Sequence, residues 1–266
     1  MSGTTNRVDL ELSGEEYDRL SDEAGAPRYL FLCTTPRTGS HRLSRAMYEL
    51  GLAFPGEYLH PWAFERMGKR WCPEADPATP EGFEVYWSNV CRWRGRDGIV
   101  ACAAFGYQIA QVRQIVGTGE GHLFIHLHRR TRSDQVASLM TLYQTKMPYE
   151  GHAQISGIPD ISEISPRSIR IVNQFLDLQE RRWQAFLRDK PHLAVASEDF
   201  FADPAGVLER IAIHCGRDPA ALPIAEAAGM AAATRAYTVN RDTKNELMAQ
   251  FPEAFAGLDK ARGRGV

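Results

Sequence analysis

The stretch that decides the fold is Tyr29-Leu30-Phe31-Leu32-Cys33-Thr34-Thr35-Pro36-Arg37-Thr38-Gly39-Ser40. It opens with a continuous apolar run, too short for a helix and closed off by turn formers. Such a run reads as a strand buried on both faces. Thr34 to Ser40 is then a polar loop, and Leu43, Ala46, Met47 and Leu50 follow at helical spacing. The same order recurs downstream. Residues 99–105 form a second buried strand, followed by a helix over 109–116. Residues 123–127 form a third, leading into a helix through Val136, Leu139, Met140 and Tyr143. Pro166 suits the first turn of a long amphipathic helix with a stripe of Val172, Phe175, Leu176, Trp183, Phe186 and Leu187. Leu193-Ala194-Val195 is a fourth strand; Asp203-Pro204 then caps a helix that Gly216 ends. Strands alternating with helices make βαβ units, so the expected fold is α/β, a mostly parallel sheet flanked by helices on both faces. One domain over 1–266 is expected, with a core of 27–216 and elaborations at 54–95 and 217–266.

Composition removes several functions. Lys and Arg number 31 against 33 Asp and Glu, a formal charge of −2, which argues against coating nucleic acid or clamping a membrane surface. Apolar residues at 44 % and charged ones at 24 % sit near globular averages and exclude a disordered or fibrous chain. No apolar run approaches the ~18–20 residues of a membrane helix. The first stretch is acidic (Asp9, Glu11, Glu15, Glu16), without the basic start of a secretory signal, so a soluble cytoplasmic protein is expected. The five cysteines contain no C-x-x-C pair and read as single buried thiols.

In an open parallel sheet, ligands collect beyond the carboxyl ends of the strands, where helix N-termini point. The loop Pro36-Arg37-Thr38-Gly39-Ser40 stands there. Gly39 lets the backbone approach an anion, Ser40 offers a hydroxyl, and Arg37 supplies a forked, permanent cation. The sheet is thus P-loop-like, but the loop is not a Walker A. Thr34 stands where its first glycine belongs and Ser40 where its lysine belongs. ATP or GTP hydrolysis and small-molecule kinase chemistry lose their main support.

Pro36-Arg37-Thr38-Gly39-Ser40 after a buried strand resembles the 5′-phosphosulfate loop of sulfotransferases that use 3′-phosphoadenosine-5′-phosphosulfate (PAPS). The likeness is nearest to the bacterial carbohydrate branch, with its trehalose and nodulation-factor enzymes. His41 departs from the usual threonine, although an Arg-Thr-Gly-Thr-His loop occurs in the nodulation type, and Arg42 stands where an apolar residue is expected. A second motif follows the third strand: His126-Leu127-His128-Arg129-Arg130, then Gln135-Val136-Ala137-Ser138. In the family an arginine at this strand end and a serine in the next helix hold the 3′-phosphate. Arg129 and Ser138 match the carbohydrate branch, while Arg130 matches the eukaryotic spacing. Gly106-Tyr107-Gln108 lies where relatives carry Gly-x-Lys, with Gln108 in place of the lysine. Pro55-Gly56-Glu57-Tyr58 matches the Pro-x-Glu segment that supplies the proposed general base, which maps to Glu57, with His60 as rival.

The resemblance therefore implies in-line transfer of a sulfonyl group from PAPS, released as 3′-phosphoadenosine-5′-phosphate (PAP), to a hydroxyl of a carbohydrate or other small metabolite. Pro36, Arg37, Thr38, Gly39, Ser40, His41, Arg129 and Ser138 bind the cofactor, and Glu57 and Arg37 act in catalysis. It implies no metal, no nucleic acid and no membrane span, and relatives in that branch form homodimers. Acceptor pockets are built from variable loops, here 60–95 and 147–165. A non-catalytic nucleotide binder on the same fold is the alternative, motivated by Gln108 and the His41-Arg42 pair.

Three other patterns compete. His122, His126 and His128 share strand parity, which invites a metal, but Arg129 and Arg130 follow at once and no carboxylate or cysteine completes a ligand set in the sequence nearby. Gly117-Thr118-Gly119-Glu120-Gly121 precedes a strand, whereas a dinucleotide loop follows one. Trp62, Trp71, Trp87 and Trp93, interleaved with Arg66, Arg70, Arg92 and Arg94, make either an acceptor wall or the inward faces of two amphipathic helices.

Overall fold

The computed structural model describes residues 14–18, 27–144, 161, 163–233 and 241–259. Most of the 147–165 segment read above as an acceptor loop lies outside them. Four strands, β1 (Arg28–Thr34), β2 (Ile99–Phe105), β3 (Leu123–His128) and β4 (Leu193–Ala196), form one parallel sheet in the order β2-β1-β3-β4. Registers run Leu30↔Ala101 and Leu30↔Leu123 around the central β1, and Ile125↔Leu193 at the β4 edge. The expected parallel α/β sheet is what forms, because every strand is apolar on both sides and must be covered on both.

Strand parity sorts the covering. Leu30, Leu32, Ala101, Ala103, Ile125 and Leu127 face one layer, where α1 (Ser40–Glu49) and the later helices α9 (Pro204–His214) and α10 (Ile224–Ala233) supply Leu43, Met47, Leu208 and Ala227. Phe31, Cys33, Val100, Cys102 and Phe124 face the other layer. That side begins with α2 (Pro61–Ala63), a π-helical turn (Phe64–Gly68), α3 (Lys69–Trp71) and α4 (Pro80–Arg94). It continues with α5 (Ile109–Val116). Between β3 and β4 run α6 (Arg132–Gln144) and the 22-residue α7 (Pro166–Leu187). α7 starts where Ser165 accepts from the Ser168 N–H and Pro166 needs no intrahelical donor bond. After β4 come α8 (Ser197–Ala202) and α9, whose first turn is capped by Asp203. The last helices, α11 (Arg241–Gln250) and α12 (Pro252–Ala256), bring Leu247 and Phe255 against Val136, Val172 and Leu176 of α6 and α7.

The Trp and Arg residues of 54–95 serve the fold. Of the two readings open for them, the pair of amphipathic helices takes the form of one regular helix, α4, and one short helix broken by the π turn. Trp87 is buried, and Trp62 and Trp71 pack against the same cluster. Arg94 is wholly buried and donates to Asp18 (2.7 Å), which also accepts from Arg70 (2.8 Å) and the Trp71 indole (2.8 Å). Arg66, Arg70 and Arg92 stack on Trp62, Trp71 and Trp93. The interleaving thus places guanidinium planes on indole faces around an aromatic core.

One bond ties the far layer to the working end of the sheet. Trp183 of α7 is fully buried, and its indole N–H donates to the Thr34 carbonyl at the end of β1 (2.7 Å). Trp183→Phe deletes that donor and part of the ring volume. The expected loss is about 2–4 kcal/mol of unfolding free energy, read from urea denaturation. A change under 0.5 kcal/mol, on the order of what surface substitutions cause, would show that the anchor does not matter.

Candidate functional site

The loop between β1 and α1 is built from inward-facing hydroxyls and two left-handed residues. Arg37 has φ 68° and Gly39 φ 84°. Thr38 turns its hydroxyl inward, donating to the Thr35 carbonyl (3.0 Å) and meeting the Thr34 hydroxyl. Ser197, at the start of α8, clamps the loop from the β4 side: its hydroxyl lies within hydrogen-bond reach of the Thr38 carbonyl (2.6 Å) and of the His128 carbonyl (2.9 Å). Gln135 of α6, fully buried, donates to the Thr35 hydroxyl (2.8 Å) and the Pro36 carbonyl (2.7 Å). Gln135 in turn accepts from Arg132 (2.9 Å), which is buried and paired with Asp177 of α7. With its own polar groups held from behind, the loop presents the first turn of α1 outward, and a helix N-terminus favours anions.

The second motif meets the first through Arg37. Arg37 Nε donates to the Ser138 hydroxyl (2.9 Å), and Arg129 Nη1 donates to the Arg37 carbonyl (3.0 Å). Arg129 Nη2 pairs with Asp134 (2.6 Å), which Lys244 of α11 also engages. Burial first, and then the neighbouring Arg129 charge, push the Arg37 guanidinium down to about 10, so it remains a cation at neutral pH. Arg129 Nε is buried and has no hydrogen-bond partner among the described residues. Two guanidiniums and a hydroxyl thus converge, with a donor to spare, which is the chemistry that receives an anion. Arg130 points elsewhere: it forms a two-pronged pair with Asp199 at the surface, and its backbone N–H donates to Glu198. Arg129, rather than Arg130, is the arginine bonded to Arg37.

Glu57 reaches the same end of the sheet because its segment is stitched to β2. The Ala103 N–H donates to the Gly56 carbonyl (2.8 Å). The Glu57 carboxylate, largely buried, lies 3.0 Å from His41 Nε2 in the first turn of α1. Burial, and secondarily the charge of Glu57, raise the Tyr107 phenol. His60 is buried and its Nδ1 accepts from the Trp62 N–H, capping α2. Gln108, also buried, turns its amide oxygen to the Phe105 N–H (2.8 Å), and its amide nitrogen has no partner among the described residues. Arg42 stacks on Phe201 and donates to the Ala232 carbonyl.

The histidines of β3 are engaged in packing. The His122 ring stacks near Tyr29, His126 pairs with Glu180 of α7 (3.0 Å), and the His128 ring lies 5.4 Å from that of His126. Among the described residues, no group of three or more His, Cys, Asp or Glu is placed to hold a metal ion. Nor is any helix there long and apolar enough to cross a membrane.

The fold has counterparts among solved structures. The sulfotransferase STF9 from Mycobacterium avium aligns over 86 % of this chain and 77 % of its own, with a TM-score of 0.52 at 13 % identity. The fold is that of a sulfotransferase. The sulfotransferase domain of the Synechococcus PCC 7002 olefin synthase also matches, over 93 % of this chain and 98 % of its own (TM-score 0.49, 16 % identity). So does mouse sulfotransferase SULT7A1 complexed with PAP, over 88 % and 71 % (TM-score 0.43, 14 % identity). No family model and no curated protein matches the sequence.

Within this sulfotransferase fold, sequence reasoning had missed Gln135 and Ser197 as the residues that shape the loop. Gln135 stood in a quoted motif without a role, and its polarity on an otherwise apolar helix face was the available signal. Gly39 carries a cost that tests the loop directly. A Cβ there would lie 2.7 Å from Phe201 Cζ, in a backbone region that L-residues enter at about 1–2 kcal/mol. Gly39→Ala is expected to lose more than that, the Phe201 clash adding to the backbone cost of about 1–2 kcal/mol. Phe201→Ala in the same chain should recover only the steric part, as read by denaturant midpoints. Full recovery would place the cost in the ring contact instead of the backbone.

Proposed function

We propose that the protein transfers a sulfonyl group from PAPS to a hydroxyl of a small molecule, a carbohydrate or related metabolite. The observation that carries this reading is the convergence of Arg37, Arg129 and Ser138 beside a phosphate-type loop, with the buried Arg129 Nε unpartnered among the described residues. That donor set fits a 3′-phosphate. The first turn of α1, with Gly39 and Ser40, fits the 5′-phosphate. Arg37, read from sequence as a catalytic cation at the 5′-phosphate, has its guanidinium at Ser138, and the proposal moves it to the 3′-phosphate grip. PAPS would supply the sulfonyl group, and PAP would leave.

The chain's own residues then have these tasks. Arg37, Arg129 and Ser138 would hold and orient one end of the cofactor. The helix N–H groups and the Ser40 hydroxyl stabilise charge that grows on the leaving oxygen. Glu57, held beside α1, takes the proton of the acceptor hydroxyl as the new bond forms. His60, spent on capping α2, is a poor rival. The spare amide nitrogen of Gln108 offers a neutral donor where relatives carry a lysine.

A non-catalytic nucleotide binder is the second reading, favoured by that glutamine alone. A cytoplasmic location and a homodimer remain part of the proposal.

Calorimetric titration tests the cofactor site. PAP should bind about ten- to hundredfold more tightly than AMP, the worth of charge-assisted bonds at about 1.5–3 kcal/mol. Arg129→Ala and Ser138→Ala should erase most of that margin, and Arg130→Ala should leave it intact. Equal affinity for the two nucleotides would sink the reading.

With an accepted hydroxyl compound, Glu57→Gln should keep PAP affinity and lower turnover at least about a hundredfold. PAP binding with no turnover of any acceptor by the unaltered chain would favour the non-catalytic binder.

A further inference from the structure

We propose that His41 is a positioning residue that couples the anion-binding end of α1 to the Glu57 carboxylate. The inference rests on the sulfotransferase reading above and deepens it. His41 is the second residue of α1, so its backbone belongs to the turn that would face a phosphate in the reading above. Its side chain runs the other way, with Nε2 3.0 Å from Glu57 Oε1. The sequence assigned His41 to the cofactor alone. The structure gives its ring a partner in Glu57.

The chemistry follows from the donor count. A carboxylate accepts and does not donate, so the neutral imidazole must carry its proton on Nε2 to bond Glu57. That bond fixes the carboxylate beside the first turn of α1. Tyr107, after β2, and Cys102, on β2, are both raised by burial and also feel the charge of Glu57. Arg42 and Arg45 share helix α1 with His41 but engage Phe201, and Tyr17 and Tyr48, respectively.

Two opposed influences meet at the ring. The positive end of α1 disfavours the imidazolium, and Glu57 favours it. An anion seated on the helix N-terminus cancels the first influence. The ring should then hold its proton to higher pH and bind Glu57 more firmly when the cofactor site is filled. Base and cofactor are coupled through one residue.

The experiment is nitrogen-15 NMR of the full-length chain labelled at histidine, with the His41 ring assigned by its loss in His41→Gln. The ring is expected to show the Nε2-protonated tautomer. Its titration midpoint should fall by about one pH unit in Glu57→Gln, the size of shift an adjacent carboxylate causes. Saturating PAP should raise the midpoint in the unaltered chain.

A midpoint indifferent to Glu57→Gln would overturn the pairing. A midpoint indifferent to bound PAP would overturn the coupling while leaving the cofactor reading in place. Absence of PAP binding by the unaltered chain would end both.

Discussion

Two guanidiniums held side by side are the constraint on which the site depends. Arg37 and Arg129 repel one another, and the protein keeps Arg37 largely out of water as well, so its charged form is disfavoured on both counts. Arg37 also adopts a left-handed backbone conformation that a long side chain rarely takes. None of this favours the fold by itself. It persists because the surroundings over-determine it, and strain of this kind collects where function needs it.

The surroundings can be traced outward in layers. Gln135 and Ser197 hold the loop carbonyls, Arg132 and Asp177 hold Gln135, and Trp183 holds the end of β1 from the opposite face. Against the upward pull of burial, Lys244 and Arg129 keep the Asp134 carboxyl low, which keeps a negative charge beside the arginines and limits their repulsion. The late helix α11 thus contributes a charge to a site begun more than two hundred positions earlier in the chain. A parallel sheet makes this possible, because it delivers the ends of β1, β2, β3 and β4 to one edge, and each following loop begins there.

The strands and the long helix were legible because their signals are local. An unbroken apolar run between turn formers has one reading, and the stripe from Val172 to Leu187 fits α7 to its last turn. The turn between β1 and α1 was legible for the same reason. The different directions of Arg129 and Arg130 were not, since both follow the strand end, where parity no longer dictates direction; Asp199, seventy residues on, draws Arg130 to the surface. Nor could the sequence show that Arg37 would reach Ser138, or that His41 would meet Glu57. Both contacts depend on how the sheet brings separate loops together. The tryptophans of 54–95 admitted two readings until the buried Arg94 and its partner Asp18 appeared, because a guanidinium on an indole has the same sequence signature whether it faces a ligand or a core.

The central claim is that Arg37 is kept beside Arg129 for an anion and at some expense to the ligand-free fold. Thermal unfolding of Arg37→Met with and without PAP tests it most directly, because methionine keeps the apolar stem and removes the charge. In the unaltered chain, PAP at a hundredfold over its dissociation constant should add about 2.7 kcal/mol of stability. In Arg37→Met the ligand-free protein should melt at or above the temperature of the unaltered chain, and PAP should add almost nothing. A variant that melts well below the unaltered chain yet still gains the full increment from PAP would contradict the account.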